Sequence, residues 1–324
     1  MRAQQRRTPD RDPGGVGMGQ IVIGEAIGEG FGLIAKRPVT ILAWGLARTV
    51  VVGGYFAAVA PFYLTILYQA AKRAAGDVTT PPDLTQMMSL QGLMWLMSLV
   101  TQFVGAVLYC AALRAVMFPE QRSYAYLRIG AAELFLFLLI FGGSFAAGIG
   151  LVIVALPVII VAAIAFGVHA IAVGVVVAVV GGLAVLALLI WILCRLSLVA
   201  PMMVEDGKFH LTDAWALTSG QFWPLFAIGA LLFVILLVIE AVVGVVVLAL
   251  GFGYISQLAG GPEGLKTFFT RPPAEIMASL GPVLLVALVV SIPLYGALNA
   301  VLMAPWARAY RDLRPPTDVA ATFA

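Results

Sequence analysis

Charged residues are scarce in this chain. Of its 324 residues, 11% are charged and 62% are hydrophobic, and the mean hydropathy is +1.04. A soluble domain has about 25% charged residues because its surface must be solvated, so most of this chain must face lipid or other apolar helices. The apolar runs lack the two-residue alternation of a transmembrane β-barrel. Because backbone groups in hydrocarbon must be hydrogen-bonded internally, the sequence predicts an all-α integral membrane protein.

Cysteine and histidine are also rare, with two of each. Cys110 and Cys194 lie in apolar runs without metal-ligand or redox spacing, so we expect packing residues. His169 and His210 are far apart, and no serine lies near both a histidine and an acid. We therefore expect a non-enzymatic protein with no catalytic residue, metal or cofactor, and no nucleic-acid partner.

Long apolar runs are abundant. Stretches of about 20 residues or more predict six spans, near Thr40–Tyr68, Leu90–Met117, Leu134–Phe166, Ile171–Met203, Phe222–Leu250 and Val283–Pro305. The third and fourth are long for a bilayer about 30 Å thick, so we expect them to tilt, to protrude, or to break at Gly142-Gly143 or Pro157. An alternative interpretation divides residues 134–203 into three shorter spans.

Basic residues indicate the orientation of the spans, because Lys and Arg accumulate in cytoplasmic loops. With six spans, fourteen of the 19 basic residues fall on one side and only Lys72, Arg73, Lys266 and Arg271 fall on the other. A seventh span would remove most of this asymmetry. We predict a multi-pass protein of the bacterial inner membrane with both termini in the cytoplasm. Residues 1–19 are predicted to be a disordered cytoplasmic tail, and residues 315–324 a second tail.

A short pattern recurs before the odd-numbered spans. Residues 23–32 read IGEAIGEGFG, residues 211–220 read LTDAWALTSG, and residues 121–130 form a weaker copy, QRSYAYLRIG. In the first copy Ile23, Ile27, Phe31 and Ile34 share one helical face, which is typical of an interfacial amphipathic helix. We predict three parallel repeats, each an interfacial helix plus a two-helix hairpin, over residues 20–117, 118–203 and 204–314. The alternative is chance similarity among Ala/Gly-rich helices.

One acid lies deep in the fifth span. Glu240 stands in FVILLVIEAVVGVVV, where a carboxylate costs several kcal/mol unless it is protonated or paired. It is a candidate intramembrane polar site for ion or proton handling. The alternative is a structural acid that is neutral or bonded to Ser291 or Asn299 of the sixth span.

Three other charged residues lie within or beside spans. Arg48 lies two to three turns inside the first span and is the second candidate intramembrane polar residue. A pair with Glu240 is one alternative, although their depths differ by about 9 Å at helical rise. Arg114 and Glu133 lie near the cytoplasmic ends of their spans, where snorkelling or a mutual ion pair explains them without a function.

Four residues are candidates for contact with lipid headgroups. Trp215 and Trp223 suit the interface because an indole ring is apolar and carries one polar N–H. Arg195 and Lys208 lie near the inner surface, where anionic lipids attract basic groups. We therefore expect anionic headgroups as partners, while association with a second copy or another membrane protein stays open.

Several phrases resemble a known family: FPEQRSYAYLRIGAAELF (118–135), RLSLVAPMMVEDG (195–207) followed by AWALTSGQFW (214–223), and APWARAYRDL (304–313). They are similar to an uncharacterised family of bacterial multi-pass inner-membrane proteins, related to the membrane domain attached to some bacterial glycerophosphodiester phosphodiesterases. The resemblance covers the cytoplasmic faces of the later spans. It implies a membrane scaffold without catalytic residues, because the remaining residues cannot house a phosphodiesterase barrel.

These patterns favour a scaffold or envelope-associated protein that contacts anionic lipids through interfacial helices. The alternative function is a small-molecule or ion transporter or channel, with Glu240 as its intramembrane polar site. Three-unit symmetry and glycine-containing long helices are the features that motivate this alternative.

Overall fold

The computed structural model describes residues 21–74, 84–121, 123–261, 264, 268 and 271–314, and the predicted tails at 1–19 and 315–324 lie outside them. Nine α-helices are described within these residues. They are α1 (Ile23–Lys36), α2 (Pro38–Ala74), α3 (Leu84–Met117), α4 (Ala131–Gly167), α5 (Ile171–Leu196), α6 (Val199–Asp206), α7 (Leu211–Leu217), α8 (Phe222–Ala259) and α9 (Pro273–Leu313). A single 3-10 turn at Ser123–Tyr126 lies between α3 and α4.

Six of the helical segments are long and apolar enough to cross a membrane: α2, α3, α4, α5 with α6, α8 and α9. This confirms the six-span prediction. Residues 134–203 contribute two spans, so the three-span interpretation of that region is wrong. Helix α4 is continuous through Gly142, Gly143 and Pro157, so no break occurs at either predicted place. The fourth span turns instead at Ser197 and Leu198, between α5 and α6.

The hydrophobic core lies at one end of the bundle. At this end α3, α6 and α9 finish and α2, α4 and α8 begin, and we call it the basic end because the side chains of Arg114, Arg308 and Arg314 lie there. Helix α9 packs against α1, α2 and α3, and more lightly against α8. Trp44 and Leu113 are completely buried in this core. Burial of large apolar side chains therefore stabilises the basic end most.

The opposite halves of three spans are largely exposed. In α4, α5 and α8 most large apolar side chains there are uncovered, including Ile153, Val180 and Leu248, which are 64%, 60% and 72% exposed. Helices α4 and α5 pack against each other as a hairpin, whereas α8 touches its neighbours mainly near the basic end. Apolar surface of this extent suits contact with lipid.

Helices α2 and α9 cross at two glycines. A methyl group added at Gly45 would overlap the carbonyl oxygen of Ile292, and one added at Gly296 would overlap the carbonyl oxygen of Ile41. Small residues allow two backbones to approach closely in a membrane helix pair. This crossing holds α2 against the middle of α9.

Helix α1 confirms the predicted helix at residues 23–32 and packs one side against α9. The buried residues are Ala26, Ile27, Gly30 and Leu33. Of the predicted apolar face, Ile27 is buried and Phe31 is 51% exposed. Gly30 approaches α9 so closely that a methyl group there would lie 2.8 Å from the Cα of Val301.

The middle copy of the pattern forms no amphipathic helix, and that prediction is wrong. Residues Tyr124, Ala125 and Tyr126 have positive φ angles of 50°, 55° and 63°. Tertiary contacts hold this 3-10 turn, since the indole N–H of Trp44 donates to the carbonyl oxygen of Ala125 at 2.8 Å. The hydroxyl of Tyr126 also donates to the carbonyl oxygen of Pro119 at 3.0 Å.

The three segments that precede the hairpins occupy comparable places. Helix α1 packs against α9, the 3-10 turn packs against α3, and α7 packs against α5. Each segment therefore contacts the second helix of another hairpin.

Candidate functional site

Arg195 is enclosed by aromatic rings at the end of α5. Its guanidinium carbon lies 5.5 Å from the ring centroids of both Trp191 and Trp215. Its Nη1 donates to the carbonyl oxygen of Trp215 at 3.4 Å, and Thr218 Oγ1 donates to the carbonyl oxygen of Arg195 at 3.1 Å. Cation–π contacts of this kind attract a guanidinium to a ring face. Arg195 therefore links α7 to α5.

The other three predicted lipid contacts are more accessible. Trp223, at the start of α8, is 73% exposed, whereas Trp215 is 38% exposed. The side chain of Lys208 is exposed in the loop between α6 and α7. Its backbone N–H donates to Asp206 Oδ1 at 3.0 Å.

His210 joins two carboxylates in the same loop. Its ring nitrogens lie 2.7 Å from oxygens of Asp213 and Asp206. The hydrogen bonds to Asp213 and then to Asp206 raise the pKa of His210 above its ordinary value. These carboxylates partly oppose the attraction of the neighbouring Lys208 to an anionic surface.

Exposed cations recur around the basic end. Lys36 ends α1, Arg128 follows the 3-10 turn, and Lys208 precedes α7, and all three side chains are exposed. Within the described part of the chain none of them forms an ion pair. Each lies in or beside one of the three segments that precede the hairpins. Their charge is thus spread around the basic end.

Three further arginines fasten those segments. Arg114 of α3 forms a buried ion pair with Glu133 of α4, and its Nη1 donates to the carbonyl oxygen of Tyr126 at 3.5 Å. Arg308 of α9 contacts Glu25 of α1 at 2.6 Å. With the Arg195 contact to α7, the second helix of each hairpin contributes at least one arginine to a contact with the segment before another hairpin. The predicted Glu133–Arg114 pair is confirmed.

A cavity of about 420 Å³ with a mostly apolar lining lies between α2, α3 and α9 within the spans. Its polar lining comprises Arg48, Thr101, Gln102, Tyr109, Tyr295 and Asn299. Arg48 Nη1 donates to the carbonyl oxygen of Thr101 at 3.1 Å, and Asn299 Nδ2 donates to that of Leu108 at 2.9 Å. Gln102 Oε1 is buried and has no hydrogen-bond partner among the described residues. Sequence reasoning missed Gln102, whose only signal is a polar amide in mid-span.

Glu240 lies apart from this cavity, on an exposed face of α8. The structure does not bring it to its predicted partners: Ser291 bonds to Thr49 at 3.0 Å, and Asn299 bonds to α3. Nor does Glu240 form an ion pair with Arg48. The two candidate intramembrane polar residues therefore belong to different surfaces.

The two cysteines are free and buried, which confirms their predicted packing role. Among the described residues no group of three His, Cys, Asp or Glu side chains could hold a metal ion.

Comparison of the chain with protein-family models finds no match. Comparisons with curated proteins and with solved structures find no similar protein either. The resemblance to the phosphodiesterase-related membrane family therefore stays a prediction.

Proposed function

We propose that this protein is a non-enzymatic, multi-pass protein of the bacterial inner membrane that contacts anionic lipid headgroups at its basic end. The observation that supports this proposal is the set of exposed cations around the basic end, Lys36, Arg128 and Lys208, together with the exposed indole of Trp223. Each basic group near an anionic membrane surface contributes about 1 kcal/mol of attraction. A tryptophan at the same level anchors the helix end in the headgroup region.

The proposal places the basic end and both termini in the cytoplasm. Its support is the charge asymmetry of the loops, which follows the usual distribution of Lys and Arg. The sequence resemblance to a membrane scaffold family agrees with a role that needs no catalytic residue.

The proposal also includes three parallel units arranged in a closed ring. The contacts of α1, the 3-10 turn and α7 with α9, α3 and α5 support it, as do Arg308, Arg114 and Arg195 at corresponding helix ends. The units differ, because the second has a 3-10 turn where the others have a helix.

Native mass spectrometry of the purified protein tests the lipid contact by counting bound phosphatidylglycerol and cardiolipin. The test variant combines Lys208→Glu with Trp223→Ala, and we expect it to retain fewer anionic lipids than the wild type. The matched control combines Arg271→Glu with Trp95→Ala, away from the basic end, and we expect wild-type lipid occupancy. Equal occupancy in all three proteins would contradict the proposal.

A transporter or channel is the second candidate function. The cavity beside Arg48 favours it, since transporters bind their substrates near the middle of the membrane. Glu240 adds an intramembrane acid on a different surface. If Glu240→Gln abolished proton flux into proteoliposomes while the fold stayed intact, this candidate would replace the lipid-contact proposal.

A further inference from the structure

We propose that the cavity beside Arg48 binds a small amphipathic ligand whose phosphate group pairs with the arginine and whose single apolar chain lies against α9. This site is separate from the lipid contacts at the basic end. The cavity combines the charge of Arg48, room for a small molecule and one unsatisfied polar atom, Gln102 Oε1.

The positive charge of Arg48 favours the binding of an anion. A guanidinium has five N–H donors, and the one side-chain hydrogen bond described for Arg48 goes to the carbonyl oxygen of Thr101. No carboxylate among the described residues forms an ion pair with it. A charged residue within a span is expensive unless it is paired or reaches water. A phosphate group supplies paired oxygens that match the guanidinium fork.

Gly105 leaves room beside the guanidinium. A methyl group added at this position would lie 3.2 Å from Arg48 Nη1, a distance at which one of the two must shift. The glycine therefore keeps the wall of α3 open where the arginine enters the cavity.

Gln102 selects for a ligand that also donates a hydrogen bond. Its Nε2 donates to Ser98 Oγ at 3.3 Å, whereas its buried Oε1 lacks a partner among the described residues. An unsatisfied buried acceptor costs about 1–3 kcal/mol. A phosphate monoester in its monoanionic form offers both an O⁻ for Arg48 and an O–H for Gln102. An ionised carboxylate offers the charge alone.

The remaining wall accommodates one apolar chain. Leu298, Leu302 and Met303 of α9 line the cavity together with Ile140 of α4. A volume of about 420 Å³ falls within the range of sites for small molecules. The ligand class that we propose is a single-chain alkyl phosphate.

The test measures binding by full-length protein in nanodiscs of uncharged lipid. The probes are decyl phosphate, decanoate, decanol and inorganic phosphate. We expect decyl phosphate to bind most tightly, with the other three about tenfold weaker or more, because each lacks the phosphate donor, the charge or the chain. Arg48→Gln should reduce affinity for decyl phosphate to that of decanol. Gln102→Leu should remove the preference for decyl phosphate over decanoate.

Arg271→Gln is the matched control, since it removes one positive charge outside the cavity and away from the basic end and should leave decyl phosphate binding unchanged. If Arg48→Gln does not fold, Met303→Phe keeps the arginine, fills the cavity and should weaken binding.

Equal binding of decyl phosphate by the wild type, Arg48→Gln and Met303→Phe would overturn the proposal. Inorganic phosphate that binds as tightly as decyl phosphate, and that loses this binding in Arg48→Gln, would overturn the proposal that the ligand has an apolar chain. A lipid-binding defect in the Lys208 and Trp223 variant, with decyl phosphate binding intact, separates the two sites.

Discussion

The buried pair of Arg114 and Glu133 links α3 to α4 at the basic end. Glu133 is completely buried and Arg114 is 8% exposed. Glu133 Oε2 also accepts the backbone N–H of Gly130 at 3.0 Å, at the start of α4. Each charge is therefore desolvated and depends on its partner.

Removing one charge of this pair should be strongly destabilising. We expect Glu133→Gln to lower the free energy of unfolding by about 3 kcal/mol, because it leaves Arg114 buried without its counter-charge. The measurement is thermal or denaturant unfolding in detergent. Glu120→Gln, at an exposed position of the same loop region, is the control and should be neutral. Comparable stability of the two variants would contradict the prediction.

His210 should give the loop between α6 and α7 a pH dependence. Both of its ring nitrogens contact carboxylates, so both must donate, which requires the imidazolium form. Because the pKa of His210 is raised from 6.5, its contribution is complete below about pH 6.5 and is lost as the pH rises through the raised value. NMR titration of the His169→Asn variant isolates the His210 signal.

We expect Asp206→Asn with Asp213→Asn to lower the pKa of His210 in that titration, since both hydrogen-bonded carboxylates are removed. Amide exchange in the loop should be faster above the transition than below it. A pKa at or below 6.5 in the protein with both aspartates intact would show that these contacts do not form in solution.

Sequence reasoning reached some residues and missed others for a physical reason. Arg114 and Glu133 lie close along the chain at adjoining helix ends, so their pairing could be predicted. Arg48, Gln102 and Asn299 lie on three helices that are distant in sequence, and their shared cavity depends on how those helices pack. Glu240 is easily identified in the sequence as an acid within an apolar span. The sequence does not show which groups lie against its exposed face of α8.

At the scale of elements, the crossing of α2 and α9 is the most constrained contact in the fold. Gly45 and Gly296 each face a carbonyl group of the other helix. Backbone atoms cannot move aside as a flexible side chain can. The crossing also determines where Arg48 stands relative to Asn299.

Gly45→Ala and Gly296→Ala should therefore each separate the two helices and destabilise the protein by about 1–3 kcal/mol, the usual range for overpacking. Gly54→Ala is the control in the same helix, since a methyl group there meets nothing within 4 Å. Its higher helix propensity should make it neutral or slightly stabilising. Unfolding measurements in detergent compare the three, and a Gly45→Ala protein as stable as Gly54→Ala would contradict the close crossing.

The periodicity of α1 shows what a pattern predicts at this scale. It indicates a helix with one apolar face, and the helix is present. The pattern does not predict that Gly30 contacts α9, because glycine carries no hydrophobic signal although it permits a close approach to Val301. Hydrophobic periodicity identifies elements well and close glycine contacts poorly.

At the scale of the whole molecule, packing and charge both concentrate at one end. The basic end contains the two hydrophobic clusters and the ion pairs of Arg114, Arg308 and Arg314. The opposite halves of α4, α5 and α8 expose apolar side chains. We infer that the basic end determines stability, while the opposite halves depend on surrounding lipid.

Accessibility of introduced cysteines tests which end faces the cytoplasm. Lys208→Cys and Asp312→Cys lie at the basic end, whereas His169→Cys and Glu275→Cys lie at the opposite end. We expect an impermeant thiol reagent to label the second pair in intact spheroplasts and the first pair only after the membrane is permeabilised. The native Cys110 and Cys194 are buried, and their replacement by Ala gives a background without thiols.

The number of spans is tested by the same four variants. With six spans, Lys208 and Asp312 share a side because two spans separate them, and His169 and Glu275 share the other side because two spans separate those two as well. An odd number of spans between the two residues of either pair would place them on opposite sides of the membrane. Only one of the two cysteines would then be labelled in intact spheroplasts. Labelling of both Lys208→Cys and His169→Cys in intact spheroplasts would place the two loops on one face, which the single span of α5 with α6 between them does not allow.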